Sequence, residues 1–169
     1  MHDSFSTISN IAYVIFGLLL LKYSFFLAAA FITLGIASTG YHWLRTKAWH
    51  KFDLVAIIYA FGVLGGHVVA GIPGSVIGGT CAGAGHYFYH SINPKLIIGG
   101  FGLIALTAYY SVHGPERTAF VVAVFASAFM LSLTAEKFFD RDRLMYDILH
   151  GVWHPVSAYG MYLLALPPN

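Results

Sequence analysis

The pentapeptide HGVWH, residues 150–154, sets two imidazoles four positions apart at the start of the last apolar stretch of the chain. Four residues advance a helix by about 400°, so both rings leave one face, one above the other. That spacing lets His150 and His154 reach a single metal ion. The plainer alternative is an interfacial pair that bonds lipid headgroups or neighbouring helices. Ser38 and His42 repeat the four-residue spacing in the second apolar stretch, and Asp53 opens the third.

These residue types form a coherent chemical set. Three neutral imidazoles with an open fourth position are a catalytic zinc arrangement, whereas structural sites close all four. Bound zinc brings the pKa of its water to about 7. A carboxylate beside that water can orient it and take its proton. A hydroxyl can donate to the oxyanion formed when a carbonyl is attacked. On this reading His42, His150 and His154 are the ligands of one zinc per chain, Asp53 is the base or water anchor, and Ser38 is the hydroxyl donor. Each residue also has a plain role open to it. Asp53 precedes LVAIIYAF and suits a helix N-cap. Ser38 can back-bond to the carbonyl of Leu34. His42, beside Trp43, suits a membrane interface.

The elements that must position this set are membrane helices. Of the 169 residues, 58% are hydrophobic and 9% charged, against about 25% charged in soluble domains. So few charges do not coat a globular surface, and lipid is the natural solvent. The net charge of +2 gives no reason to expect nucleic acid. The lone Cys81 rules out an internal disulfide and a multi-cysteine metal site. The opening MHDSFS has neither a basic region nor a small-residue cleavage site after it, so the first apolar run is expected to stay as a helix.

A bilayer core takes about 20 apolar residues per helix. Cutting at charges and at Gly/Pro breaks yields seven spans, 5–21, 25–43, 54–72, 74–91, 96–112, 118–135 and 145–166, in a single domain covering 1–169. The weakest breaks are KYS at 22–24 and GIPG at 71–74. Arg45, Lys47, Lys51, Lys95, Lys137, Arg141 and Arg143 all fall on the side of the N-terminus, with only Lys22 and Arg117 opposite. The positive-inside rule then predicts a cytoplasmic N-terminus and an outside C-terminus. Glycines crowd the third and fourth spans, where small residues let helices approach closely. The expected fold is an all-α, multi-pass membrane bundle of seven transmembrane helices. Its topology brings His42, Asp53, His150 and His154 to one membrane depth on the same side. An ionisable residue inside a span points to function by default, and four at one depth weaken every plain reading together.

The combination STGYH at 38–42, Asp53, and HGVWH at 150–154 resembles the CREST superfamily, which includes alkaline ceramidases, progestin-and-adipoQ receptors and haemolysin III-like proteins. That group carries Ser-x3-His in its second helix, Asp in its third and His-x3-His in its seventh, and all five positions match. STISN at 6–10 is similar to the NTxSN opening of ceramidase first helices, and HGVWHPVSAYGMY is similar to their HxxWHxxxxxGxY ending. The resemblance spans the chain and leans to the ceramidase branch. It implies a zinc hydrolase cleaving an amide or ester bond of a lipid drawn from the bilayer, with no call for a protein partner. Animal ceramidases bind calcium through an acidic N-terminal stretch; here Asp3 is the only carboxylate there, so calcium is not expected. The short loops suit a minimal bacterial member in the cytoplasmic membrane. Pro155 is expected to kink the last helix, opposite the carbonyl of Gly151.

A second pair, His86 and His90, offers a substrate-headgroup contact, a second metal site or simple packing. Trp153, beside a ligand, joins them as a substrate-binding candidate. Two rival classes stay open at this stage. One is a zinc-containing receptor-like or structural membrane protein without significant turnover. The other is a haem or di-iron membrane oxidoreductase, against which stand the lack of adjacent histidine pairs and the idle Ser38 and Asp53.

Overall fold

The computed structural model describes residues 4–88 and 94–167, and the backbone alone at 85–88, 94 and 95. The helical elements are α1 (Ser4–Ser9), α2 (Ile11–Leu20), α3 (Phe25–Leu44), α4 (Lys47–Phe88), α5 (Pro94–Phe138) and α6 (Arg143–Ala165), with no strand among the described residues. Three helical stretches are long and apolar enough to cross a membrane: Phe25–Leu44, Lys47–Ala84 and Leu96–Phe138. Large apolar side chains such as Ile36, Val69, Leu103, Phe120, Phe129 and Met130 are exposed along them. Water would oppose that much exposed apolar surface, and lipid accepts it.

Local sequence accounts for most of the boundaries. The weak break at KYS is a turn, because Ser24 is the N-cap of α3 and accepts a hydrogen bond from Leu27 N–H. Asp142 caps α6 in the same way through Met145 N–H, at 3.0 Å. The two long elements each contain one break. In α4, Ala70 and Gly71 leave the helical region, with Gly71 at φ 61°, two residues before Pro73. In α5 the break is Gly114 at φ 77°, just before Pro115. Both follow from chain chemistry: glycine takes positive φ without a Cβ clash, and proline starts a new helical arm while removing a donor from the old one. The two arms of α4 then pack glycine on glycine. A Cβ on Gly66 or Gly74 would strike the carbonyl of the other, so the small residues here serve close packing, as expected.

The outline departs from the expected spans in three places. The first apolar run is divided, with Asn10 between α1 and α2. Ser6, Thr7 and Asn10 are buried there, where the Ser6 hydroxyl donates to Asp147 O and Asn10 Nδ2 donates to Ser6 O. The third helix begins at Lys47 instead of 54, started by Thr46, whose hydroxyl accepts from Trp49 N–H. Asp53 therefore lies inside α4 and is not its N-cap. Finally, α6 runs unbroken through Pro155.

The core forms where α2, α3, the first arm of α4 and α6 meet, around Leu20, Leu27, Phe31, Leu34, Val63 and Met161. α3 is its central element, buried from Leu27 down to Ser38 and His42.

Candidate metal centre

α3 ends in a left-handed cap at Arg45 (φ 51°, ψ 31°), whose N–H returns to Tyr41 O at 2.8 Å. α4 begins two residues later, so the link is short and the two helices lie side by side. Gly40 completes the fit: a Cβ there would collide with the Trp49 indole, which lies against α3. Two turns into α4, Asp53 consequently faces the last turns of α3, with the Ser38 hydroxyl near its carboxyl on the same cavity. Ser38 thus reaches across to a neighbouring helix, beyond packing within its own.

α6 closes the site from the other side. The ring centroids of His42 and His150 are 5.0 Å apart, those of His42 and His154 5.1 Å, and those of His150 and His154 4.8 Å. One nitrogen from each of the three rings lies within 4.8 Å of the other two. His42 and His154 are 3% and 1% exposed, with Ser38 and Asp53 also buried. All five residues singled out from the sequence line one cavity of about 220 Å³, together with Tyr13, Tyr41, His50, Tyr146 and Trp153. Trp153 stands 5.0 Å from each of the His150 and His154 rings, centroid to centroid. His90 lies outside the described residues, as does the His86 side chain.

Two atoms in this cavity test whether it suits a cation. The Nε2 of His154 and the Oδ1 of Asp53 are buried with no hydrogen-bond partner. An unsatisfied buried polar group costs about 1–3 kcal/mol, so such atoms call for an occupant. A metal ion at the imidazoles together with a water at Asp53 satisfies both. Three nitrogen donors suit zinc among the common metals, though copper, iron and nickel also accept imidazole. The residues fit a metal ion.

Several neighbours were not singled out from the sequence. Ser9 Oγ lies 2.8 Å from His154 Nδ1. Tyr13 Oη bonds Ser157 Oγ at 2.6 Å, and Ser157 Oγ donates to His154 O at 3.0 Å. Tyr146 stacks on His150, with centroids 5.1 Å apart and planes 18° apart. Asp147 accepts from Phe5 N–H and Ser6 N–H at 2.9 and 2.8 Å. Tyr146 was within reach of the spacing argument, being four residues before His150. Ser9 carried only the weak signal of the STISN stretch, which ends three residues before Tyr13.

Compared with known proteins, the chain matches no protein-family model, no curated protein and no solved structure. The case for function therefore rests on the site itself.

Proposed function

We propose that this protein is an integral-membrane, zinc-dependent hydrolase that cleaves the amide bond of a long-chain N-acyl lipid such as ceramide, as its resemblance to alkaline ceramidases implies. The observation that carries the reading is the single cavity that brings Ser38, His42, Asp53, His150 and His154 together with two unpartnered buried atoms. A receptor-like or structural role would leave Asp53 and Ser38 without work. A haem would leave the third imidazole without work.

His42, His150 and His154 would hold the ion. When bound, zinc supplies Lewis acidity, which brings water into the range where it loses a proton near neutral pH. Asp53 takes that proton as the water oxygen attacks the carbonyl carbon of the lipid. Ser38 has one hydroxyl hydrogen. It pairs with the Asp53 carboxyl at rest, and once Asp53 is protonated it is released to stabilise the carbonyl oxygen as negative charge develops there. The carbon–nitrogen bond breaks, Asp53 passes its proton to the leaving amine, and the products are a fatty acid and a free amino lipid. Trp153 and Tyr13 form apolar walls that receive the lipid beside the scissile bond.

The test is fatty-acid release from ceramide by purified protein in detergent, with zinc measured on the same samples. About one zinc per chain, as in three-histidine sites, with release above a protein-free control, supports the reading. Metal-replete protein that cleaves no acyl lipid overturns the hydrolase and favours the receptor-like role.

The proposal includes seven membrane crossings: α1 with α2, α3, two arms each from α4 and α5, and α6. The breaks at Gly71 and Gly114 support it, as does the clustering of Lys and Arg near 45–51, 95 and 137–143. By the positive-inside rule, this proposal has the N-terminus in the cytoplasm and the C-terminus outside. Reporter fusions at the two ends are expected to report opposite sides. Fusions on the same side would mean an even number of crossings and reject the count.

A further inference from the structure

One face of α6 is occupied by the short N-terminal helix. Asp147, Gly151 and His154 lie at i, i+4 and i+7, which is one side of a helix. Each touches α1. The Asp147 carboxylate accepts from Phe5 N–H and Ser6 N–H, two of the donors a helix start leaves free. The Phe5 ring packs on Gly151, where a Cβ would strike it. The ring of His154 meets the far end of α1, with Ser9 Oγ 2.8 Å from its Nδ1.

The hydrogens in this contact can be counted. Ser9 Oγ donates its only hydrogen to Ser6 O, at 3.0 Å, and so faces His154 with a lone pair. The lone pair of Ser9 Oγ therefore demands a hydrogen on Nδ1. A neutral imidazole carries one, so the Nε2 lone pair is left bare, and Nε2 is the atom buried without a partner. We propose that Ser9 is a positioning residue for the metal centre: by accepting from His154 Nδ1–H it holds the ring in the tautomer and orientation whose Nε2 faces the metal. The N-terminal helix is thereby part of the site, docked through Asp147 so that Ser9 arrives at the ligand.

This inference rests on the metal reading above, and its test separates the two. The readout is zinc affinity of the full-length protein in detergent, measured by competition with a chromophoric chelator, with helicity and size-exclusion profile checked on each sample. Outer hydrogen-bond partners of metal-bound histidines typically contribute about 10–100-fold in affinity. Ser9→Ala is expected to lose about that factor. Ser9→Thr keeps the acceptor oxygen and is expected to stay within about threefold of wild type, a factor below that range. Cobalt-loaded Ser9→Ala is expected to show shifted visible bands, while Ser9→Thr matches wild type. The half-exposed setting of Ser9 tolerates both changes. Should Ser9→Ala bind zinc as tightly as wild type while His154→Ala loses it, the role of Ser9 is wrong and the metal site stands. Should Ser9→Ala and Ser9→Thr weaken zinc equally, the serine shapes the helix end only, and the inference fails. Should His154→Ala also bind zinc undiminished, the metal reading falls and takes this inference with it.

Discussion

Asp53→Asn is expected to keep its zinc and to lose about 10² to 10⁴ in the rate of fatty-acid release, the range for a positioned general base. The substitution preserves shape, and the amide can still bond to Ser38 across the cavity. It removes only the ability to take a proton. Asp53 is no ligand in the arrangement described here, since the three imidazoles supply the nitrogen donors, so metal content is expected to stay at the wild-type level. The two quantities must be read on the same preparation, because a fall in both would report a damaged site instead of a missing base. Wild-type rates with full zinc in Asp53→Asn would overturn the mechanism proposed here. Ser38→Ala serves as the companion measurement, with zinc retained and a loss of about 10² to 10³, as for one donor to a developing oxyanion.

The His150→Ala/His154→Ala double variant is expected to fall from about one zinc per chain to almost none, and its activity to the level of the protein-free control. Only His42 would remain to bind the ion, and a lone imidazole holds zinc weakly. Truncating both rings also removes packing, because His150 stacks on Tyr146 and meets Trp153 at a tilt and His154 is fully enclosed. The comparison is therefore made on protein that retains wild-type helicity and a single size-exclusion peak. Undiminished zinc in such protein would place the metal elsewhere and reject the assignment of these residues.

Much of the site was written in local spacing. Four residues on a helix bring two side chains to one face whatever the rest of the chain does, so the pairings of Ser38 with His42 and of His150 with His154 followed from sequence alone. The break around 114 was legible as well, and the one at 71–74 was a weaker signal that held, because glycine beside proline interrupts a helix through its own backbone chemistry. The short link after Arg45 and the apolar stretches on either side were enough to bring Asp53 and His42 to one level. What the sequence left open at Asp53 was its role. A helix cap and an inward-facing carboxyl look alike until the start of α4 is known, and the structure sets that start at Lys47. Contacts across the bundle were beyond any local rule. Ser9 and His154 are 145 positions apart, Tyr13 and Ser157 are 144 apart, and Asp147 reaches back to Phe5 and Ser6 across a similar span. Such pairings depend on the rotation and height at which α1 and α2 settle against α6. Apolar packing sets those two quantities over many side chains at once, and no single spacing in the sequence records them.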